Sequence, residues 1–184
     1  MKTYNDTTYA ILGILTTNCK SGYEIKKFID QSLNHFWKIS YGQIYPTLKL
    51  LVQDGLAEVQ TESVPGKPAS KDYHLTTKGM ELLKKWLAQP TGQLPVERNE
   101  ILLKLFFGRQ QSEEQSRILL QDYKQELKKR YFTYEAIERS IMEHEEDEED
   151  TKYWLFTLDY GKRSTQAAID WCHVTLAQLS TKEE

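Results

Sequence analysis

The sequence predicts a mainly α-helical protein with two parts: an N-terminal winged helix-turn-helix and a C-terminal antiparallel helical, coiled-coil-like dimerisation domain. Two observations support this fold class. In the first half, three helical patterns precede a β-hairpin pattern and a fourth helix. Beyond the segment 90–95 (PTGQLP), the chain continues as long helical patterns. We therefore expect two domains, residues 1–90 and 91–184.

Capping residues mark the first two helices. Residues 7–17 are apolar with helical spacing and follow Asp6, which we expect to be the N-cap. Ser21 and Glu24 have the spacing of a capping box, so a second helix is expected to open there. We expect Trp37 to close that helix and to lie in the core.

The third helical pattern covers residues 40–55. It carries one apolar stripe, formed by Ile44, Leu48, Leu51 and Val52. Gly55 is placed to end the helix as a C′ glycine. Ser40 and Gln43 match a capping box, but this start would put Pro46 in the second turn. Because proline is tolerated in the first turn only, we expect the helix to begin near Gly42 or Gln43.

A β-hairpin follows, with strands at residues 57–64 and 70–75 and a Pro-Gly-Lys-Pro turn between them. A fourth helix is expected at residues 77–88. In the second half, helices are predicted at residues 97–108, 112–143 and 150–179. The last of these carries apolar residues at spacings of three and four, interrupted by Lys162 and Thr165. We expect this seam to form the dimer contact through Leu155, Leu158, Ile169, Cys172, Leu176 and Leu179.

The order helix, helix, helix, hairpin, helix predicts binding to double-stranded DNA, with the third helix in the major groove. Gln can bond an adenine edge, Thr can contact a thymine methyl group, and Lys and Tyr can hold phosphates. On the third helix the candidates are Ser40, Tyr41, Gln43, Tyr45, Thr47 and Lys49. The hairpin contributes Lys67, Ser70 and Lys71, and the amides near Ser21 and Gly22 are placed to hold a phosphate.

The charge is divided between the two halves. Residues 1–95 contain eleven lysines, no arginine and eight acidic residues, a net charge of +3, while the remainder carries −6. A basic front favours contact with phosphates, and an acidic tail would avoid them. An alternative interpretation is a winged helix that binds protein rather than DNA.

Catalytic and metal-binding patterns are missing from the sequence. It contains no phosphate-binding loop, no nucleophile elbow and no paired cysteines, and its four histidines are scattered. We therefore expect no enzyme activity, no metal and no cofactor. With no long apolar run and no signal-like start, we expect a cytoplasmic protein without a membrane partner.

Two tryptophans of the predicted tail, Trp154 and Trp171, allow two interpretations. They could pack between helices, or they could line a pocket for a small aromatic effector, since flat ligands stack on such side chains.

Five segments in order resemble the PadR family of transcription regulators: YAILGIL, SGYEI, FWKISYGQIYPTLKLLVQDGL, PGKPASKDYHLTTKG and the following WL. Ser21, Gln43, Tyr45, Pro46 and Lys71 match positions of the family motifs. The second half resembles the helical virulence-activator tail of the longer members. This resemblance implies an N-terminal domain that binds a palindromic operator and a tail that forms a homodimer. It also implies a repressor or an activator, in some members a repressor relieved by phenolic acids or drugs.

Overall fold

The computed structural model describes residues 3–62, 70–92, 97–143 and 148–180. The chain divides into two compact units, Met1–Leu94 and Pro95–Glu184. The first unit contains helices α1 (Asp6–Ile14), α2 (Gly22–Gln31) and α3 (Tyr41–Gln53), strands β1 (Ala57–Glu62) and β2 (Ser70–Leu75), and helix α4 (Thr77–Leu87). The second contains α5 (Glu100–Phe106), α6 (Glu113–Glu143) and α7 (Glu148–Ser180).

The first unit has the predicted winged helix-turn-helix order. Several helix boundaries differ from expectation, among them the start of α1 and the end of α2. The N-cap of α1 is Asn5, whose side-chain oxygen accepts a hydrogen bond from the Thr8 amide at 3.0 Å, so the cap is not Asp6. Helix α2 ends at Gln31 and gives way to a short 3₁₀ turn at Leu33–His35.

One apolar core holds the first unit together. The predicted stripe of α3 faces this core, because Ile44, Leu48 and Leu51 are almost completely buried. They pack with residues of α1 and α2 in a single cluster that includes Ile11, Leu12, Ile25 and Ile29. Since this stripe is inside, the opposite face of α3 is left to solvent.

The hairpin is joined to the start of α2. Strands β1 and β2 are antiparallel, with Ala57 opposite Leu75. The amide of Tyr73 in β2 donates a hydrogen bond of 2.8 Å to the Lys20 carbonyl, and Asp72 forms an isolated bridge with Ser21. The backbone of the wing is therefore continuous, through hydrogen bonds, with the N-terminus of α2.

Helix α3 ends as the sequence predicted. Gly55 has a left-handed φ of 67°. The Leu56 amide donates to the Leu51 carbonyl at 2.8 Å, and the Gly55 amide donates to the Val52 carbonyl at 3.1 Å. This pair of bonds is a Schellman motif, which satisfies carbonyls that the end of a helix leaves open.

Two distant side chains reinforce the end of α3 at Asp54. The Lys78 ammonium group on α4 donates to the Asp54 carbonyl at 2.7 Å. The hydroxyl of Tyr4 donates to the Asp54 carboxylate at 2.9 Å. The rear of α3 is thus attached to both the first residues of the chain and the fourth helix.

The second unit is built on an antiparallel pair, α6 and α7. Lys162 on α7 forms an ion pair of 2.6 Å with Glu138 on α6. Nearer the other end of the pair, Lys124 Nζ lies 3.4 Å from His173 Nδ1. Early residues of α6 therefore meet late residues of α7, as in the helical hairpin that the sequence predicted.

The seam predicted on the last helix is used within the chain. Cys172 is completely buried in a cluster with Ile101, Leu120 and Leu127, and Leu158 is also buried. Ile169, Leu176 and Leu179 pack against that cluster, and Leu155 is partly buried. Since these side chains already contact their own helical pair, the expectation that they face a second copy needs correction.

Lys162 and Thr165, which interrupt the seam, are also accommodated within the chain. Lys162 pairs with Glu138, and Thr165 is buried.

In the described ranges, no helix has both the length and the apolar character needed to span a bilayer.

Candidate nucleic-acid interface

The solvent-facing side of α3 presents polar and aromatic groups at helical spacing. Tyr41, Tyr45 and Lys49 are exposed and follow one another at intervals of four residues, so they lie along one face. Ser40 and Gln43 are exposed at the start of the helix. This face offers hydroxyl, amide and ammonium groups, the types that bond base edges and phosphates.

Thr47 does not belong to this face. Its side chain is only 9% exposed and lies on the core side of α3. The expectation that Thr47 contacts a thymine methyl group is wrong for this conformation, because a buried methyl group cannot reach a base. Thr47 is three residues from Ile44 and four from Leu51, which places it beside the apolar stripe.

The first turn of α3 begins at Tyr41, earlier than the proline argument predicted. Ser40 is the N-cap, and the Gln43 side-chain oxygen accepts hydrogen bonds from the Ser40 amide and from the Ser40 hydroxyl, each at 2.9 Å. Pro46 therefore lies inside the helix. Its missing amide would have bonded the carbonyl of Gly42, an exposed residue near the start of the helix, where water can take that bond.

Two tyrosines form a fixed pair on the exposed face. The rings of Tyr41 and Tyr45 meet edge to face with centroids 5.7 Å apart. A hydrogen bond with Tyr41 raises the pKa of Tyr45 above its ordinary value, and partial burial of the hydroxyl raises it by a smaller amount. The Tyr45 hydroxyl therefore stays protonated near neutral pH and can donate to a phosphate.

The start of α2 contacts this pair. Gly22 is buried, and a Cβ placed on it would lie 2.7 Å from the Tyr45 ring, so the ring covers the glycine. Lys26, one turn further along α2, has its ammonium group 5.7 Å from the centroid of the Tyr41 ring. Sequence reasoning missed Lys26 because the helical pattern showed that it faces outward but not which neighbour it meets.

Of the amides near Ser21 and Gly22 that were expected to hold a phosphate, that of Ser21 is already bonded. The carboxylate of Glu24 accepts hydrogen bonds from the amides of Lys20 and Ser21, both at 2.9 Å, and the Ser21 hydroxyl accepts from the Glu24 amide at 3.2 Å. The two backbone bonds lower the pKa of Glu24. A carboxylate thus occupies the positive end of α2, which disfavours a phosphate at the same amides.

The wing is described in part. Lys71 is exposed on β2, opposite Thr61, and the backbone of Ser70 pairs with that of Glu62. Lys67 lies outside the described residues. Of the two basic wing residues predicted to contact DNA, only Lys71 lies in the described part of the chain. Its side chain is exposed and available to a DNA backbone.

Aromatic residues near α2 are more exposed than expected. Trp37 is 39% exposed and lies beyond the end of α2, so the expectation that it closes this helix in the core is wrong. Tyr23 and Phe36 are exposed as well. The early end of α2 at Gln31 explains the exposure of Phe36 and Trp37, because the chain leaves the helical register that would have turned these two rings inward.

Comparison with family models assigns both units. The model described as "Transcriptional regulator PadR-like family" matches residues 11–85, the span from α1 to most of α4. The model described as "Virulence activator alpha C-term" matches residues 97–180, the span of α5, α6 and α7. Residues 11–85 therefore form a PadR-like domain, and residues 97–180 form a domain of the virulence-activator type. The first domain precedes the second along the chain.

Individual relatives agree with this assignment. The negative transcriptional regulator PadR of Bacillus subtilis strain 168 is 35% identical over 99 residues, which is 54% of each chain. The chain covers about half the length of the curated relatives that it matches in sequence. The structure of Vibrio cholerae virulence activator AphA aligns with a TM-score of 0.69 at 29% identity, over 94% of this chain and 96% of that one.

Two solved structures of the Bacillus subtilis protein match over almost the whole length. PadR in complex with operator DNA gives a TM-score of 0.85 at 26% identity, over 96% of this PadR-like chain and 100% of that chain. PadR in complex with p-coumaric acid gives 0.80 at 25% identity, over 95% and 99%.

The two tryptophans considered for an effector pocket are far apart in this PadR-like chain. Trp154 and Trp171 are seventeen residues apart on α7, which corresponds to about 25 Å along a helix. Trp171 is partly buried against the cluster around Cys172, whereas Trp154 is 39% exposed. The structure does not bring these rings together within one chain.

Proposed function

We propose that this PadR-like chain binds a palindromic operator as a homodimer, represses transcription, and releases the DNA when a small aromatic compound binds. The main support for DNA binding is the exposed face of α3. There, Tyr41, Tyr45 and Lys49 follow one another at intervals of four residues, and Lys26 of α2 lies beside Tyr41. The PadR structure with operator DNA supports this proposal by resemblance.

Charge supports the same surface. The first 95 residues carry a net charge of +3 against −6 in the remainder, so the phosphate backbone attracts the winged helix and repels the tail. Lys49 and Lys71 are both exposed and have no carboxylate partner within salt-bridge distance in the described part of the chain. Each is available to replace a counterion of the duplex.

Apolar surface on the second unit supports a homodimer. Phe106 is 82% exposed, and the short helix α5 also exposes Leu102 and Leu103. Further exposed apolar side chains follow on α6 and α7: Ile118, Phe132, Met142, Tyr153, Phe156, Tyr160 and Val174. A chain in water gains from covering this much apolar surface, and a second copy would also place two reading helices on one frame.

An effector contact would use α7 near Trp154. This ring is accessible, and Tyr153 and Phe156 beside it are exposed and meet edge to face with centroids 6.1 Å apart. Flat aromatic compounds stack on such groups. The PadR complex with p-coumaric acid supports this class of ligand by resemblance.

Selection from a library of duplexes with a random central segment tests the proposal. We expect the chain to enrich an inverted repeat with half-sites about one helical turn apart, roughly 34–36 Å. Its affinity for the enriched duplex should fall steeply as salt rises. Enrichment of no sequence, together with binding that does not depend on salt, would favour the alternative of a winged helix that binds protein.

Addition of p-coumaric acid to the complex with the enriched duplex tests the effector separately. Release of the DNA supports the proposal, and retention at saturating compound rejects a phenolic effector while leaving DNA binding intact. The similarity to AphA favours a second candidate, an activator with the same fold. A reporter gene placed behind the enriched duplex distinguishes the two by the sign of its response.

A further inference from the structure

The side chain of Gln43 has a defined orientation. One of its terminal atoms lies 2.9 Å from the Ser40 backbone nitrogen, and a backbone N–H can only donate. The facing atom must therefore be the carbonyl oxygen, Oε1. The same oxygen accepts from the Ser40 hydroxyl at 2.9 Å, so both of its lone pairs are engaged within the chain.

This engagement limits what Gln43 can recognise. A glutamine that reads adenine bonds it twice, since Oε1 accepts from the adenine amino group while Nε2 donates to N7. With Oε1 occupied by Ser40, the accepting half of that pattern is missing. Nε2 keeps two N–H donors on an exposed side chain, and for it the described part of the chain provides no hydrogen-bond acceptor.

We infer that Gln43 is a positioning residue and a phosphate donor, and that it does not read adenine. It holds the first turn of α3 through Ser40 and offers only N–H groups to the DNA. This inference rests on the proposed binding of DNA by α3. Base discrimination then falls to exposed side chains further along α3.

A comparison of the capping boxes of α2 and α3 explains why residue 43 is a glutamine and not a glutamate. At the start of α2, the equivalent capping residue is a carboxylate, Glu24, which bonds the Ser21 amide at the same 2.9 Å. A carboxylate at position 43 would cap α3 equally well, because it accepts the same two bonds from Ser40. It would, however, place a negative charge and no donor on the surface that meets phosphates, so only the amide serves both the helix and the DNA.

Three variants of the full chain separate the two roles. Gln43→Glu keeps the acceptor and removes the donors; Gln43→Ala removes both; Glu24→Gln is the matched control, with the opposite change of charge in the other capping box. Thermal unfolding measures the cap. Selection from a random duplex library, followed by titration of the enriched duplex, measures base preference and affinity.

We expect Gln43→Glu to unfold at or above the melting temperature of the parent and to lose affinity about tenfold or more for every sequence alike. Gln43→Ala should melt about 2–4 °C lower and bind more weakly, with the base preferences of the parent. Glu24→Gln should bind no more weakly than the parent, because it removes a carboxylate.

Specific results would overturn the inference. Loss of a preference for any base at one position with Gln43→Ala would show that this residue reads a base. If Gln43→Glu binds DNA as tightly as the parent, Gln43 is not a phosphate donor. If Gln43→Glu melts at a lower temperature than the parent, the side chain at position 43 does not cap α3 through its oxygen. If Glu24→Gln loses as much affinity as Gln43→Glu, the effect is not particular to Gln43. If the parent enriches no sequence, the proposed function fails, while the melting data still decide the cap.

Discussion

The ring of Tyr45 covers Gly22, and a Cβ built on that glycine would stand 2.7 Å from the ring carbon Cε1 and 2.9 Å from the hydroxyl oxygen. The contact joins the start of α2 to the exposed face of α3. Because the colliding atoms are the outer end of a side chain that is 45% exposed, the ring can give way, whereas the backbone of α2 need not.

We therefore expect Gly22→Ala to displace Tyr45 and to weaken DNA binding while changing the free energy of unfolding by less than about 1 kcal/mol, since alanine is otherwise favourable in a helix. Titration of a selected duplex and urea unfolding measure the two effects. In a Tyr45→Ala background, Gly22→Ala should cost no further affinity. A full additional loss would show that the glycine acts on DNA by another route.

Gly79 at the start of α4 should be far less tolerant. A Cβ there would lie 2.1 Å from the carbonyl oxygen of Leu56, a backbone atom that cannot move without disturbing the end of α3. We expect Gly79→Ala to destabilise the first unit by about 1–3 kcal/mol in urea unfolding.

Gly13→Ala in α1 is the control for Gly79→Ala. No neighbour lies within 4 Å of its added Cβ, so we expect this change to stabilise the protein by about 0.5–1 kcal/mol. Equal effects of the two substitutions would contradict the close contact at Gly79.

The pH dependence of stability should include a contribution from Glu24. The bonds from the Ser21 and Lys20 amides lower its pKa in the folded state, so its ionised form is favoured by folding. That stabilisation is present above the ordinary glutamate pKa of about 4.3 and is lost as the pH falls through the lowered value. The difference in melting temperature between the parent and Glu24→Gln should therefore shrink as the pH is reduced from 7 to 3, and a constant difference would contradict the cap.

Two kinds of apolar substitution in the tail should behave differently. Phe106→Ser together with Phe107→Ser alters exposed rings, so we expect a folded chain that dissociates into monomers at concentrations where the parent is dimeric. Leu176→Asp instead places a charge beside the cluster around Cys172, and we expect loss of helical signal from the second unit. Sedimentation measures the oligomeric state, and circular dichroism measures the helical signal. If the Phe106/Phe107 variant remains dimeric, the dimer interface does not involve α5.

Periodicity and capping residues predicted most of the fold, because those signals are local. The stripe of α3, the glycine at position 55 and the capping box at Ser21 depend on neighbours within one or two turns, and all three are present in the structure. Pro46 was misjudged for a related reason. The general cost of an internal proline is a missing amide bond, but here the affected carbonyl belongs to an exposed residue near the helix start.

The candidate interface was less predictable because it depends on which elements meet. Thr47 was expected to contact DNA from the third helix, yet the helix turns it toward the core. Spacing on α7 identified a seam but not its partner, and α6 of the same chain occupies it. The placement of Lys26 near Tyr41 and of Tyr45 over Gly22 joins residues of separate helices, which no periodicity within one helix can show.

The C-terminal end and the inner face of α3 are attached to the rest of the first unit. Its end is held by the Schellman bonds at Gly55 and by Lys78 and Tyr4 at Asp54, and its inner stripe is fixed in the core. The front, by contrast, carries Tyr41 and Lys49 without any part in that support. New operator preferences could therefore be grafted onto this helix by exchanging a few outward side chains, with the scaffold beneath them left as it is.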